Sequence, residues 1–264
     1  MASFRHLAER ALLGPVARVV PAQLQPFFQR ALAAAVRHLP VLDPTSPASV
    51  AVKNQAELDF WRDWLGRHGT APATEYYRSF MMAMGGIADQ DFFTGRVCVD
   101  LGCGPSGSLT WLDNAKAAIG VDPLAESYRQ FGIDAHPMLY LACGAERLPF
   151  PTGYVDVVFS MNSLDHTDDV PAVCREIRRV LKPGGHFIGS LNLNEPPTST
   201  EPWMLTEELL AEHLFAGWQR QFYKVRPKLE HEPDPYRYFH EEPPPEDLPS
   251  DGPQALWCRY QAVE

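Results

Sequence analysis

Residues 97–107 read Val-Cys-Val-Asp-Leu-Gly-Cys-Gly-Pro-Ser-Gly, and this stretch decides the fold that the sequence predicts. A short strand with β-branched residues ends near Asp100, and a turn with three glycines follows. Glycine permits a sharp bend and lets a ligand approach the backbone, because a Cβ would collide. A helix-like stretch begins at Ser106, and its free N–H groups would point back at the turn. The stretch predicts a nucleotide-like ligand across the end of a parallel strand.

Two classes of ligand compete for this turn. Gly102, Gly104 and Gly107 spell G-x-G-x-x-G, the spacing of dinucleotide-binding turns. Asp100 favours a different ligand, since a carboxylate repels a pyrophosphate and attracts an ammonium group. An acid followed by spaced glycines resembles the first motif of the class I S-adenosylmethionine-dependent methyltransferases, whose loop holds the methionine part of the cofactor. The third glycine of that family would fall at Ser106, whereas here it comes one residue later.

Two further motifs follow in the order of the same family. The strand at 118–121 leads to Asp122, about 20 residues after the first glycine, where a ribose-binding carboxylate belongs. The run at 144–151, Gly-Ala-Glu-Arg-Leu-Pro-Phe-Pro, resembles the adenine-binding turn of small-molecule methyltransferases. Relatives often carry an acid at the position of Gly144. Here either the Glu146 side chain or the backbone N–H groups of residues 145 and 146 would contact the adenine.

The second half of the sheet is predicted from an apolar run and a helix stop. Residues 154–161 are nearly continuously apolar, as in a strand covered on both faces. A helix pattern follows and is closed by Lys182-Pro183-Gly184-Gly185, before a strand at 187–191. The Leu-Lys-Pro-Gly-Gly join is a strong mark of the family. The resemblance covers residues 90–225 and a last strand at 255–263.

This resemblance implies an α/β fold: a doubly wound, Rossmann-like, seven-stranded and mostly parallel sheet with helices on both faces. We expect residues 1–90 to form an N-terminal helical extension or lid, and residues 91–264 to form the S-adenosylmethionine-binding domain. Residues 226–253 contain eight prolines and eight acids, so they cannot build a core of their own. They are interpreted as a Pro-rich insertion before the last strand.

The helices before the sheet are predicted from apolar faces. Residues 1–42 hold five arginines and one acid and predict two amphipathic helices. These helices would pack on the domain or on a partner subunit, which allows a homodimer, or would contact a membrane surface or serve as a targeting peptide. Asn54-Gln55-Ala56-Glu57 resembles a helix cap, with Gly66 past the helix end, and a further helix begins near Thr74.

The resemblance also assigns site residues, and the cofactor is S-adenosyl-L-methionine. The predicted cofactor-binding residues are Asp100, Gly102, Cys103, Gly104, Asp122, Pro123, Ala145, Glu146 and Asn162, with Tyr77 and Arg78 from the helix before the first strand. His166 is the candidate catalytic base for a hydroxyl acceptor, because it follows the fourth strand at the cofactor end; a structural role is the alternative. No metal is predicted, since solvated side chains explain His231, Glu232, His240 and Glu241 more simply.

Composition limits the partners and the location. A net charge of −10 argues against nucleic acid and anionic membranes as partners, and no apolar run is long enough for a transmembrane segment. Five scattered cysteines favour a reducing compartment, so we expect a cytoplasmic protein.

The predicted function is methyl transfer to a small or medium-sized, partly apolar acceptor. The loop at 192–205, the helix at 74–84 and the insertion should meet above the cofactor, and their aromatic residues, Tyr76, Tyr77, Trp203, Tyr236 and Phe239, suggest the apolar part. Two alternatives stay open: a nicotinamide-dependent oxidoreductase, favoured only by the glycine spacing, and a non-catalytic cofactor-binding protein with the same fold.

Overall fold

A seven-stranded sheet lies at the centre of the computed structural model, which describes residues 47–229, 235–240 and 253–263. The strand order is β3-β2-β1-β4-β5-β7-β6. The strands are β1 (Val97–Leu101), β2 (Ala117–Val121), β3 (Leu139–Leu141), β4 (Val155–Met161), β5 (Leu181–Leu193), β6 (Gln219–Pro227) and β7 (Gln254–Gln261). Strands β1 to β5 pair in parallel, whereas β7 pairs antiparallel with both β5 and β6. The predicted mostly parallel sheet is confirmed.

Six α-helices accompany the sheet in the described ranges, besides short 3-10 helices at Gln90–Phe93, Arg129–Phe131 and Ile133–Ala135. The α-helices are α1 (Pro47–His68), α2 (Thr74–Met84), α3 (Ala125–Tyr128), α4 (Val170–Val180), α5 (Glu207–Leu210), which continues as a π-helical turn at Ala211–Phe215, and α6 (Arg237–His240). Thr206 caps α5, because its side chain accepts a hydrogen bond from the Leu209 N–H. Asp169 caps α4 in the same way.

The sheet is covered on both faces, and this explains the apolar strands. On one face, α4 buries Val173, Ile177 and Val180 against strand residues such as Phe187. On the other face, α2 buries its apolar residues in a second core that includes Trp257 of β7. Parallel strands buried on both sides need apolar residues at consecutive positions. Because β1, β2, β4 and β5 run in parallel, their carboxyl ends meet at one edge of the sheet, where a ligand can bind.

The helix predicted to begin at Ser106 is wrong, since residues 104–111 form consecutive turns. Gly107 has a φ of +72°, a left-handed conformation that interrupts a helix. The carbonyl of Ser106 accepts a hydrogen bond from the Ala73 N–H, and the Leu109 N–H donates to Met138 Sδ. Backbone groups that a helix would pair internally are thus bonded to neighbouring segments instead.

Two helix boundaries also differ from the predictions. Asn54–Glu57 lies inside α1, not at its start, because the helix begins at Pro47, and proline is favoured in the first turn. The Lys182–Gly185 join belongs to β5, whose Leu181 already pairs with Val155 before a bulge shifts the register. The predicted helices in residues 1–42 and most of the insertion lie outside the described residues. Over the ranges described here, no helix is long and apolar enough to cross a membrane.

Candidate active site

The glycine turn after β1 brings a backbone segment close to two other elements. The Gly102 N–H donates to the Val121 carbonyl, and the Gly104 N–H donates to Asp122 Oδ2 at 3.1 Å. Gly104 has a φ of +57°, and an added Cβ would lie 2.6 Å from the indole of Trp61 on α1. Only glycine fits a left-handed backbone in such close contact. The turn is therefore fixed to β2 on one side and covered by α1 on the other.

Two buried carboxylates flank this turn. Asp100 is 2% exposed and Asp122 is 6% exposed. Asp100 Oδ2 accepts a 2.5 Å hydrogen bond from Ser108 Oγ, while its Oδ1 has no hydrogen-bond partner among the described residues. Burial raises the pKa of Asp100 to about 7 and that of Asp122 to about 6. A cationic or hydroxyl-bearing ligand would stabilise both ionised carboxylates.

Asp122 has the geometry of a carboxylate at the end of a strand. Its Oδ1 accepts from the Leu124 N–H at 2.9 Å, and its Oδ2 accepts from Gly104. The charge of Glu57 on α1 adds to the effect of burial on the Asp122 pKa. Glu57, which the sequence analysis placed in a helix cap, therefore lies beside the predicted ribose position.

The other predicted residues near the turn have different surroundings. Tyr77 is buried beside Asp100, and burial and the Asp100 charge raise its pKa. Cys103 is buried, and its Sγ occupies the space where a Cβ on Gly120 would lie. Pro123 is exposed. Arg78 pairs with Glu75 at 3.4 Å on the exposed side of α2, so this geometry gives it no role at the turn.

The predicted adenine turn has an unusual acid. Glu146 Oε2 lies 2.5 Å from the position of a Cβ on Gly144, so its carboxylate occupies space beside the backbone of that residue. Its Oε1 accepts from the Asp168 N–H at 2.8 Å. Ala145 is buried, and Asn162 after β4 has a φ of +51° and a buried Oδ1 that is unpaired within the described ranges. The Glu146 carboxylate therefore lies beside the Gly144 backbone and is held by the loop after β4.

His166 lies in a cluster of acids. Its Nδ1–H donates to Glu57 Oε1 at 2.8 Å, and its Nε2 lies 3.6 Å from Glu201 Oε1. Burial acts to lower the pKa of His166, but the Glu57 hydrogen bond and the charges of Asp165, Glu57 and Glu201 outweigh it and raise the pKa to about 9. The ring is held by Glu57 of α1, and the base role of His166 stays a prediction.

Lys53 joins α1 to the same loop. Its Nζ donates to the His166 carbonyl at 2.8 Å and forms a salt bridge with Asp168. Lys53, Trp61 and Glu201 were not predicted as site residues, because no local pattern in the sequence indicates that these side chains converge after folding.

A second group of buried polar atoms lies on the α2 side of β5 and β7. Both side-chain polar atoms of Asn192 and Trp257 Nε1 have no hydrogen-bond partner within the described parts of the chain. Ser190 pairs with Trp257 in the β5–β7 register, so both side chains lie on one face. The phenol of Tyr236 faces Ser190, and Phe80 contacts both Tyr236 and Trp257.

The predicted acceptor pocket is assembled only in part. Helix α2 and the described piece of the insertion meet through the Phe80–Tyr236 contact, whose ring centroids are 5.2 Å apart. Phe239 stacks on Trp257 at 4.4 Å. Trp203 packs against the core on the opposite side of the sheet, and its Nε1 donates to the Asp168 carbonyl. His240 lies beside Trp257, while His231, Glu232 and Glu241 fall outside the described residues.

Comparisons with known proteins agree with this geometry. Residues 99–189 match a family model described as a methyltransferase domain. The chain is 37% identical over 114 residues to the demethylmenaquinone methyltransferase of Symbiobacterium thermophilum, covering 39% of this chain and 45% of that protein. It is 36% identical over 105 residues to the tRNA U34 carboxymethyltransferase of Hydrogenovibrio crunogenus, covering 36% of this chain and 31% of that one.

A solved structure shares the fold over a larger part of the chain. The S-adenosylmethionine-dependent methyltransferase from Mesorhizobium loti superimposes with a TM-score of 0.50 at 19% identity, over 69% of this chain and 96% of that one. The chain spans less than half the length of the curated relatives it matches first. The matched segment runs from β1 to β5 and contains both buried carboxylates. Residues 99–189 of this chain therefore match a methyltransferase domain, and the surrounding sheet has the fold of an S-adenosylmethionine-dependent methyltransferase.

Proposed function

We propose that the protein transfers a methyl group from S-adenosylmethionine to a small or medium-sized, partly apolar acceptor. The observation that carries the proposal is the pair of buried carboxylates, Asp100 and Asp122, on either side of the glycine turn. In the proposed complex, Asp122 accepts the ribose hydroxyls and the turn holds the methionine part. Asp100 supplies negative charge near the ligand's ammonium group.

The domain's own residues would bind and orient the reactants. The bound cofactor supplies an electrophilic methyl group, and the protein places the acceptor in line with it, which can lower the barrier by about 7–11 kcal/mol. Trp61 and Glu57 of α1 cover the turn and would exclude water from this position. The proposed lid is therefore α1, in keeping with the predicted extension at residues 1–90.

The acceptor class is proposed from the second group of buried polar atoms. Asn192 and Trp257 offer donors and an acceptor that the described residues leave unpaired, and aromatic rings of α2 and the insertion lie beside Trp257. A buried polar atom without a partner costs free energy, so a ligand that pairs with it gains affinity. This combination supports an acceptor with an apolar body and one hydroxyl or carbonyl edge.

Partner and location remain proposals as well. One matched relative is named for tRNA, so the absence of a nucleic-acid partner stays a prediction from net charge. All five cysteines are free, which agrees with a reducing compartment such as the cytoplasm. A homodimer and a membrane contact through residues 1–42 stay untested predictions.

Calorimetric titration of the purified chain with S-adenosylhomocysteine and with NAD tests the cofactor. Saturable binding of S-adenosylhomocysteine and none of NAD is the expected result, and the reverse would establish the oxidoreductase alternative. A screen of phenolic, quinonoid and carboxylate acceptors with radiolabelled S-adenosylmethionine then tests turnover. Cofactor binding without transfer to any acceptor would support the non-catalytic alternative.

A further inference from the structure

Three side chains from two loops bring potential metal ligands together beside the acceptor side of the site. Asp165 and His166 follow β4, and Glu201 lies in the loop after β5. Each offers one ligand atom, and these atoms all lie within 4.8 Å of one another. His166 Nε2 and Glu201 Oε1 are 3.6 Å apart. If these three side chains move slightly closer together, their ligand atoms reach the distances that separate the ligands of one metal ion.

The imidazole is already oriented for metal binding. Its Nδ1–H donates to Glu57 Oε1 at 2.8 Å, which leaves Nε2 directed away from α1 and toward Glu201. Metal-binding histidines commonly donate their other ring N–H to a carboxylate, which fixes the ring and makes the ligand nitrogen more basic. Glu57 is the carboxylate that accepts this other N–H of His166.

Two of the ligand residues have hidden atoms that no described residue satisfies. Asp165 is 3% exposed, and its Oδ1 has no hydrogen-bond partner in the described ranges. His166 Nε2 is also buried and makes no hydrogen bond in these ranges. Buried polar atoms in folded proteins are nearly always paired. A single ion between Asp165 Oδ1 and His166 Nε2 would satisfy both atoms.

The local charge is also negative. Asp165, Glu201 and Glu57 surround one imidazole, and Glu195 adds a further negative charge near Asp165. The nearby cations are committed elsewhere, because Lys53 pairs with Asp168 and Lys228 pairs with Glu195. One buried and two partly buried carboxylates around one imidazole favour a bound positive charge, which would offset their desolvation.

We propose that Asp165, His166 and Glu201 bind a first-row transition-metal dication through two carboxylate oxygens and imidazole Nε2. One nitrogen and two oxygen ligands suit Mn²⁺, Fe²⁺ or Zn²⁺ better than Mg²⁺ or Ca²⁺, which prefer oxygen alone. The ion would tie the β4 loop to the β5 loop, and its remaining positions would accept water or an oxygen of the acceptor. The proposal does not depend on methyl transfer.

Mn²⁺ binding to the chelator-treated full chain tests the proposal, with loss of the free-ion electron paramagnetic resonance signal as the readout. We expect one ion per chain, and Asp165→Asn, His166→Asn and Glu201→Gln should each weaken binding at least tenfold. Glu57→Gln should weaken it about 10- to 100-fold through the orientation of the imidazole. Glu208→Gln, an exposed acid on α5, is the matched control and should leave binding unchanged.

A second measurement on the unmutated protein guards against variants that fail to fold. Bound Mn²⁺ should show electron spin-echo modulation from one imidazole nitrogen, and this signal should vanish in His166→Asn if that variant folds. Absence of saturable binding at millimolar Mn²⁺ would overturn the proposal and leave a proton as the ion that His166 holds. Binding without nitrogen modulation, or binding unaffected by all three ligand variants, would place the ion elsewhere and also overturn it.

Discussion

Asp100 and Asp122 are the residues from which the cofactor class could be predicted, and the fold places both beside the glycine turn. That prediction was available because an acid at a strand end and a nearby glycine are local in sequence. His166 was named for its position after β4, but its partners Glu57 and Glu201 are distant in sequence. Its raised pKa depends on those partners, so no local pattern in the sequence could indicate it.

Asp122→Asn should weaken binding of S-adenosylhomocysteine by about 1.5–3 kcal/mol, because a carboxylate that accepts the ribose hydroxyls is lost. Isothermal titration calorimetry measures this loss. Asp134→Asn, on an exposed turn, is the control and should bind like the unmutated chain. Equal affinities of the Asp122 variant and the control would remove the ribose assignment.

Cofactor affinity should rise with pH. Burial raises the pKa of Asp100 to about 7 and that of Asp122 to about 6, above the range of an unfolded carboxyl group. The folded, ligand-free state therefore keeps protons that the unfolded chain has lost, and the stability these groups contribute falls as pH rises from about 4 to 7.

A ligand with an ammonium group and ribose hydroxyls favours the ionised carboxylates, so its affinity should increase between pH 5.5 and pH 7.5, a window set by the pKa values of about 6 and about 7. Titrations of S-adenosylhomocysteine in buffers of different ionisation enthalpy report the protons released on binding. Asp122→Asn should reduce that release. An affinity that is independent of pH would show that both carboxylates are already ionised in the free protein.

Gly104→Ala should destabilise the protein by about 1–2 kcal/mol from its left-handed backbone alone, with a further loss from displacing Trp61. Gly95→Ala is the matched control, because its φ is +69° and no atom lies within 4 Å of an added Cβ. Urea unfolding of the two variants separates strain from contact. Equal losses would mean that Trp61 moves aside without cost.

Helix α1 links the segment before the sheet to the loops at its ligand-binding edge. Trp61 packs on the glycine turn, Glu57 bonds His166, and Lys53 bonds the loop after β4. The existence of the helix was predictable from its apolar face, but its start was not, because a cap-like sequence at 54–57 imitated a beginning. The helix predicted to begin at Ser106 does not form for a different reason. Backbone groups there are hydrogen-bonded to distant segments of the chain and not to each other.

Lys53→Met should loosen α1 from the domain. Lys53 is nearly buried and makes charged hydrogen bonds, each of which contributes about 1.5–3 kcal/mol to the free energy of unfolding. The Asp168 side chain is about one-third exposed, so the loss of stability should lie at the lower end of this range. Hydrogen exchange in α1 should quicken while exchange in α2 stays the same. Arg62→Met breaks an exposed pair on the same helix and should change neither. Equal effects of the two variants would contradict a docking role for Lys53.

The whole molecule carries a net charge of −10, and its matched relatives include a protein named for tRNA. Phosphate contacts supply most of the affinity for nucleic acid, so an acidic protein should bind it poorly. Filter binding of tRNA at physiological ionic strength should show no saturation. Saturable binding that weakens steeply with salt would instead reveal a local basic surface.

The antiparallel pairing of β6 with β7 has a consequence for how this protein could diversify. The two strands that border the Pro-rich insertion are neighbours, and the Lys228 N–H donates to the Pro253 carbonyl where the strands part. The ends of the inserted segment are thus held together whatever its length, and doubling such a closed segment costs only about 0.6 kcal/mol in chain entropy. Evolution, or a protein engineer, could exchange this segment for another and alter acceptor choice while the strands, the glycine turn and the cofactor carboxylates keep their places.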